Sequence, residues 1–339
     1  MPLDLTKIKK FIFETSNYCN LHCPQCPRFD AKGYLDRDIT LGHLSFETIQ
    51  RNFHLDALPA LTDVMFEGDY GDPMMNPQVC EYVEFFKDIT VTIVTNGSIR
   101  NPSFFKKLAK YSNLKITFSI DGLEDTNHIY RINSDWHKIM CNLKAYTDAG
   151  GQAKWKFLIF KHNQHQVAKA RKLATDLGCE FKAEYTNRNF WQDNVWPVYI
   201  DGNYRYDITM ANDTNSLQLS TQTHNVAKMH MNPNTFESPS CYGWMDVGEL
   251  YVNCYGHLLP CCMTSGVTWK NTVSDQLFRK KIIGNIDDIN LNLYNITEIA
   301  KTDFYTHKLY ESWKSIKTCH NICFANCSKA LNSSVEQDR

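Results

Sequence analysis

Ten of the thirteen cysteines in this 339-residue chain fall into three groups. Cys19, Cys23 and Cys26 are spaced C-x3-C-x2-C, Cys241, Cys254, Cys261 and Cys262 lie far downstream, and Cys319, Cys323 and Cys327 close the series. Clustered thiolates are ligands for soft metals, and the first group admits three readings. Positions i, i+4 and i+7 share a helix face, but Pro24 and Pro27 interrupt the segment and disfavour a helix. Structural zinc takes four protein ligands, and no fourth partner lies nearby in the sequence. Three thiolates suit a [4Fe–4S] cluster whose remaining iron is open to a substrate or cofactor. Cys80, Cys141 and Cys179 stand alone in periodic segments and read as small packing residues.

The rest of the composition fits a reducing interior. The 36 basic and 37 acidic residues nearly cancel, which argues against a large nucleic-acid footprint. Apolar content of 43% and charged content of 22% are those of a folded globular chain rather than a disordered one. The first residues, MPLDLTKIKK, lack the apolar core of a secretion signal, and no apolar run is long enough to span a membrane. An odd cysteine count also excludes complete intramolecular pairing. A cytoplasmic location with metal-binding thiols is expected.

Repeated strand–helix units must position the first cysteines. The β-rich runs Lys10–Thr15, Asp63–Glu67, Thr90–Thr95, Leu114–Ile120, Lys154–Phe160 and Glu180–Glu184 read as strands. Helical segments lie between them. Asn76-Pro77 and Asn101-Pro102 read as caps followed by a first-turn proline, Ser45 as the cap of a segment reaching Leu58, and Gly150 and Gly178 as helix stops. Six such units over residues 1–185 imply an α/β fold with a parallel sheet, doubly wound or curled into a partial barrel. Ligands in such sheets bind where strands end, and the first cysteine group directly follows the first strand. Residues 186–235 show no clear period and read as a connector, partly disordered around Asn212–Asn225 or facing the substrate. Residues 236–331 form a smaller second unit, and 332–339 a frayed tail.

Cys19-Asn-Leu-His-Cys23-Pro-Gln-Cys26 resembles the signature of the radical S-adenosylmethionine (SAM) enzymes, with Gln25 where that family usually has an aromatic residue. The resemblance implies a partial (β/α)6 TIM-like barrel holding a catalytic [4Fe–4S] cluster and SAM. It also implies reductive cleavage of SAM to a 5′-deoxyadenosyl radical, and a reducing partner such as flavodoxin or ferredoxin. Gly68-Asp-Tyr-Gly71-Asp72-Pro73 is similar to the family's Gly-Gly-Glu-Pro segment, which would bring the Gly71 and Asp72 backbone, and the Asp72 acid, to the SAM amino group. Thr95-Asn96-Gly97 can turn sharply beneath a ligand. Ser119-Ile-Asp121-Gly122 with downstream Arg131 resembles the family's grip on the SAM carboxylate. Asn163 reads as a helix cap, with a place near the SAM ribose as the alternative.

Cys241, fourteen residues, Gly256, four residues and Cys261 look like the opening of the SPASM and Twitch domains, which carry auxiliary iron–sulfur clusters. Gly256 fits a hairpin turn between Leu250–Cys254 and Leu258–Pro260. The shortened closing series Cys319-x3-Cys323-x3-Cys327 implies a Twitch-like α+β cap with one auxiliary [4Fe–4S] cluster. Its ligands would be Cys241, Cys261 and two of the three closing cysteines. Cys254 and Cys262 are expected to pack, and a structural zinc on the same thiolates is the rival. Relatives with such a cap modify peptides or proteins, or oxidise small alcohols and sugars. Peptide or protein modification is favoured, although Cys19 leaves no room ahead of it for a leader-binding domain. A nucleic-acid substrate ranks third, and a non-catalytic iron–sulfur or zinc scaffold is the reading from another class.

Overall fold

The computed structural model describes residues 2–186, 190, 194–212, 239–315 and 318–328. Six parallel strands form the expected barrel wall: β1 (Lys10–Phe13), β2 (Asp63–Phe66), β3 (Thr90–Thr95), β4 (Leu114–Ser119), β5 (Gln152–Ile159) and β6 (Glu180–Tyr185). Their order in the sheet is their order in the chain, the open, curled arrangement of a partial TIM barrel rather than a doubly wound sheet. Helices α1 (Phe46–Asn52), α2 (Val79–Phe85), α3 (Pro102–Leu108), α4 (Asn127–Tyr130), α5 (Trp136–Asp148) and α6 (Val167–Asp176) fill the crossovers. Alternation along the strands separates the two faces. Phe11 meets Phe53, and Phe13 meets Phe53 and Phe86 of the helical layer, at centroid distances of 4.8–5.7 Å. Ile12 and Glu14, of opposite parity, face the other way.

Several local signals act as expected. Asn101 caps α3 by accepting a bond from the Phe104 N–H, with Pro102 in the first turn. Gly150 and Gly178 adopt φ of +88° and +69° after α5 and α6, where a side chain would be strained. Others differ. Ser45 stands at the α1 N-terminus but bonds to Glu47, and α1 ends at Asn52 instead of reaching Leu58. Asn76 accepts from the Gln78 N–H and donates to the carbonyls of Thr15 and Leu44, so it pins a turn and α2 begins only at Val79.

The span 186–235, expected to be a connector, contains a β-hairpin. Strands β7 (Val195–Ile200) and β8 (Asn203–Thr209) pair antiparallel across Asp201-Gly202, whose φ values of 49° and 81° are those of a tight primed turn. The Asp-Gly signal was present in the sequence, and Pro197 within the strand masked it. Residues 213–225 of the expected disordered stretch, and the tail 332–339, lie outside the described residues. The second hairpin, β9 (Glu249–Val252) and β10 (Leu258–Leu259), turns at Gly256 with φ +88° as expected. It does not form a sheet of its own. β9 pairs parallel with β1, extending the barrel sheet to eight strands in the order β10-β9-β1-β2-β3-β4-β5-β6.

Candidate active site

The loop after β1 carries Cys19, Cys23 and Cys26 to the strand ends, and no helix forms there. Reverse turns replace it, with the Cys26 N–H bonding the Cys23 carbonyl and the Phe29 N–H the Cys26 carbonyl. His22 stacks on Phe29 at 3.8 Å and its Nε2 contacts the Gly33 carbonyl, which folds the loop on itself. All three cysteines line one cleft of about 180 Å³, shared with Gly71, Asp72, Ser119 and Arg131. The segments that follow three strands, β1, β2 and β4, thus converge on one cleft. Gln25, in the position flagged as atypical, is buried.

The Gly68–Asp72 loop is packed against the cysteine loop with no space for side chains at its glycines. A Cβ on Gly71 would stand 2.0 Å from the Ser16 carbonyl oxygen, and one on Gly68 2.1 Å from that of Gly71. Asp72 turns its carboxylate inward. It accepts bonds from the Met74 N–H at 3.0 Å, the Asn96 N–H at 2.8 Å and the Thr95 hydroxyl at 2.9 Å. Burial raises its pKa, and those bonds work against the rise. The side chain is therefore occupied in shaping the loop, and the loop backbone is what remains for a ligand.

Asn96 is a site residue that its turn motif did not reveal. Its Nδ2 donates to Asn20 Oδ1 at 2.9 Å and lies 3.7 Å from Cys19 Sγ, while its N–H holds Asp72. It ties the cysteine loop to the loop after β2. Gly97 permits the approach with φ +76°.

Arg131 leaves the C-terminal end of α4 with Nη1 3.8 Å from Cys23 Sγ. Its Nε donates to Asp121 Oδ2 at 2.6 Å, and Asp121 Oδ1 accepts from the Leu158 N–H at 2.6 Å. Burial opposes the guanidinium charge, and Asp121 with Cys23 outweighs it, so the Arg131 pKa is raised. Asp121 is fully buried and is not part of the cleft wall, which makes it the support of Arg131. Asn163 is likewise not a side-chain cap. It donates to the carbonyls of Asp121 and Leu158 and accepts from the Phe160 N–H, stapling the end of β5. Asp69, within the Gly68–Pro73 segment, also lines the cleft, as do Glu67, Arg28 and Lys156, which no motif marks.

Burial pushes the Cys19 thiol up to about 12, and the Cys23 thiol also rises. A cationic centre that stabilises thiolates would reverse that preference. Among the described residues, no three His, Cys, Asp or Glu side chains converge tightly enough for a single metal ion. The donor set of three thiols around a cleft fits a cluster with one open iron.

A second cavity is lined by Cys241, Cys261, Cys323 and Cys327, with Trp313 and Pro260. Cys323 and Cys327 are one turn apart on the helix Asn321–Cys327. Cys319 precedes the helix N-cap, His320, and so leaves the shared face that an i, i+4, i+8 reading would give it. Cys254 is buried against Glu14 instead.

Residues 13–174 match the profile of the Radical SAM superfamily. The barrel is a radical SAM domain. The radical SAM fold extends beyond it. Streptococcus suis SuiB bound to S-adenosylmethionine superposes with a TM-score of 0.57 at 14% identity, over 94% of this chain and 72% of that one. Native anSMEcpe with bound AdoMet and Cp18Cys peptide gives 0.53 at 13% identity, over 94% and 88%. A second SuiB structure, bound to the precursor peptide SuiA, gives 0.55 at 14% identity, over 94% and 70%. No curated protein matches the chain. Residues 13–174 carry a radical SAM domain, and that superfamily implies a [4Fe–4S] cluster, SAM and a reductant. No helix among the described residues is long and apolar enough to cross a membrane.

Proposed function

We propose that this enzyme modifies a peptide or protein side chain by hydrogen abstraction, and that it works in the cytoplasm with a flavodoxin- or ferredoxin-type reductant. The convergence of Cys19, Cys23 and Cys26 with Gly71, Ser119 and Arg131 on one cleft carries the reading. Support for a peptide comes from SuiB and anSMEcpe, both solved with peptides bound. When bound, the cluster at Cys19, Cys23 and Cys26 supplies the electron that cleaves SAM to methionine and the hydrogen-abstracting 5′-deoxyadenosyl radical.

The chain's own residues hold and orient. Arg131, fixed by Asp121, presents a guanidinium suited to the SAM carboxylate, and Ser119 adds a hydroxyl at the adjoining strand end. The Gly71–Asp72 backbone, brought close by the absence of a Cβ at Gly71, faces the amino end. Asn96 keeps the loops in register. Cys241, Cys261, Cys323 and Cys327 form a four-thiol shell suited to an auxiliary [4Fe–4S] cluster, in preference to one containing Cys319.

The test is incubation of anaerobically reconstituted, dithionite-reduced protein with SAM. 5′-Deoxyadenosine should form, and Cys23→Ala should abolish it. Equal product from the variant would overturn the assignment of the first cysteine group.

A further inference from the structure

The loop proposed to meet the SAM amino group does not rest on the barrel alone. Tyr70, next to Gly71 in that loop, is 7% exposed and is not part of the cleft wall. Its side chain runs into the C-terminal unit. The hydroxyl is hydrogen-bonded to the Ser265 side chain. The ring meets Trp269 edge-to-face at 4.8 Å, and Lys270 Nζ stands 5.2 Å from its centre. A Cβ on Gly266 would come within 2.9 Å of the hydroxyl, so the lack of a side chain there admits the contact.

All four partners lie on one short segment, the helical turn Cys262–Thr268 and the two residues after it, and that turn starts from Cys261. Cys261 lines the second cavity. Its carbonyl accepts bonds from the Thr264 N–H at 3.1 Å and the Thr264 hydroxyl at 2.7 Å, and the Met263 and Thr264 N–H groups also bond its thiol. On the barrel side, the Tyr70 N–H donates to Glu14 at 2.8 Å and the Asp72 N–H to the Tyr18 carbonyl at 2.8 Å. Contacts therefore run without a gap from a thiol of the second cavity to the backbone offered to SAM.

Resting on the auxiliary-cluster reading, we infer that Tyr70 is a positioning residue that couples the two sites, so that filling the shell of Cys241, Cys261, Cys323 and Cys327 tightens the binding of SAM. Burial raises the Cys241, Cys261 and Cys323 thiols, Cys261 to about 11, so without a metal centre they stay neutral and unjoined. Metal binding joins them, and so ties the turn after Cys261 to the helix Asn321–Cys327. A turn already fixed has less freedom to lose when SAM orders Tyr70 and Gly71, and the entropy opposing SAM is smaller. The effect is reciprocal by linkage.

Equilibrium dialysis against SAM measures the coupling, on anaerobically reconstituted protein left unreduced so that SAM stays intact. Cys323→Ser should weaken SAM binding about tenfold in the otherwise unaltered chain, and by less than about twofold in the Tyr70→Ala background. Tyr70→Phe keeps the ring against Trp269 and loses the Ser265 bond, so its background should give an effect between the two. A tenfold loss in every background, or no loss in the unaltered chain, would overturn the inference. Hydrogen exchange on the unaltered protein needs no variant to fold. SAM should slow exchange about fivefold across residues 267–270, which are not part of the cleft wall. Protection confined to the segments that line the cleft would also overturn the coupling. Iron and acid-labile sulfide in the Cys323→Ser sample separate two kinds of failure. Full retention sinks the auxiliary shell itself, whereas loss of about half beside unchanged SAM affinity sinks only the role of Tyr70.

Discussion

Replacing Asp121 should damage the site through Arg131 rather than through any direct contact with SAM. The Asp121 carboxylate is fully buried and Arg131 is 18% exposed, with 2.6 Å between them. Asp121→Ala leaves a guanidinium in low dielectric without its partner and also orphans the Leu158 N–H. Breaking a buried pair on one side costs about 3–5 kcal/mol, and an unsatisfied N–H adds about 1–3 kcal/mol. Partial access of water to Arg131 trims this, so a loss of about 4 kcal/mol is expected. Asp121→Asn keeps an acceptor for Leu158 and loses only the charge, at about half that figure. Arg131→Met combined with Asp121→Ala removes both charges, and the double variant should be at least about 2 kcal/mol more stable than the sum of the singles. Anaerobic urea unfolding followed by tryptophan fluorescence measures the unaltered protein and all four variants. Additivity within about 0.5 kcal/mol would refute the claim that Asp121 acts by compensating Arg131.

Three further outcomes follow from the same geometry. Gly71→Ala forces its Cβ against the Ser16 carbonyl at 2.0 Å, and equilibrium binding should show SAM affinity falling by about tenfold or more. On reconstitution, Cys323→Ser should lose about half of the iron and acid-labile sulfide, as expected for one of two clusters, whereas Cys319→Ser should retain both; the reverse ranking would reassign the shell. Glu14 has its pKa raised from 4.5 to about 8, so the native state binds more protons than the unfolded chain between those values. Stability should therefore be greatest below that window and decline as pH rises through it, by on the order of 5 kcal/mol in total. Glu14→Gln should remove most of that slope in unfolding measurements across the window.

The barrel was readable because its strands are short, β-branched and evenly spaced, and each expected run overlaps an observed strand. The three cysteines and Arg131 were readable because their spacing serves one chemistry at defined strand ends. Asp121 was found by the same pattern, but its task as a support is set by the Leu158 N–H, a contact between neighbouring strands that spacing cannot express. The choice of Cys323 and Cys327 over Cys319 turns on where a helix begins, a boundary decided by the His320 cap. Glu14 lacked any motif because its contact with the Cys254 N–H depends on β9 joining β1. The hairpin β7–β8 was not legible because the segment shows no clear period, and Pro197 stands inside a strand that an isolated two-stranded ribbon tolerates.

That pairing of β9 with β1 also dictates an order of assembly. Lys10 finds its neighbour Glu249 only after most of the chain has left the ribosome. Until then β1 is a bare edge, rich in phenylalanine and open to pairing with another chain. So distant a contact is slow to close, which lengthens the interval of risk. A chain cut at residue 185 would keep that edge permanently. Cys19, Cys23 and Cys26 lie on the loop after that strand, so it gains its final support when the last third of the protein arrives.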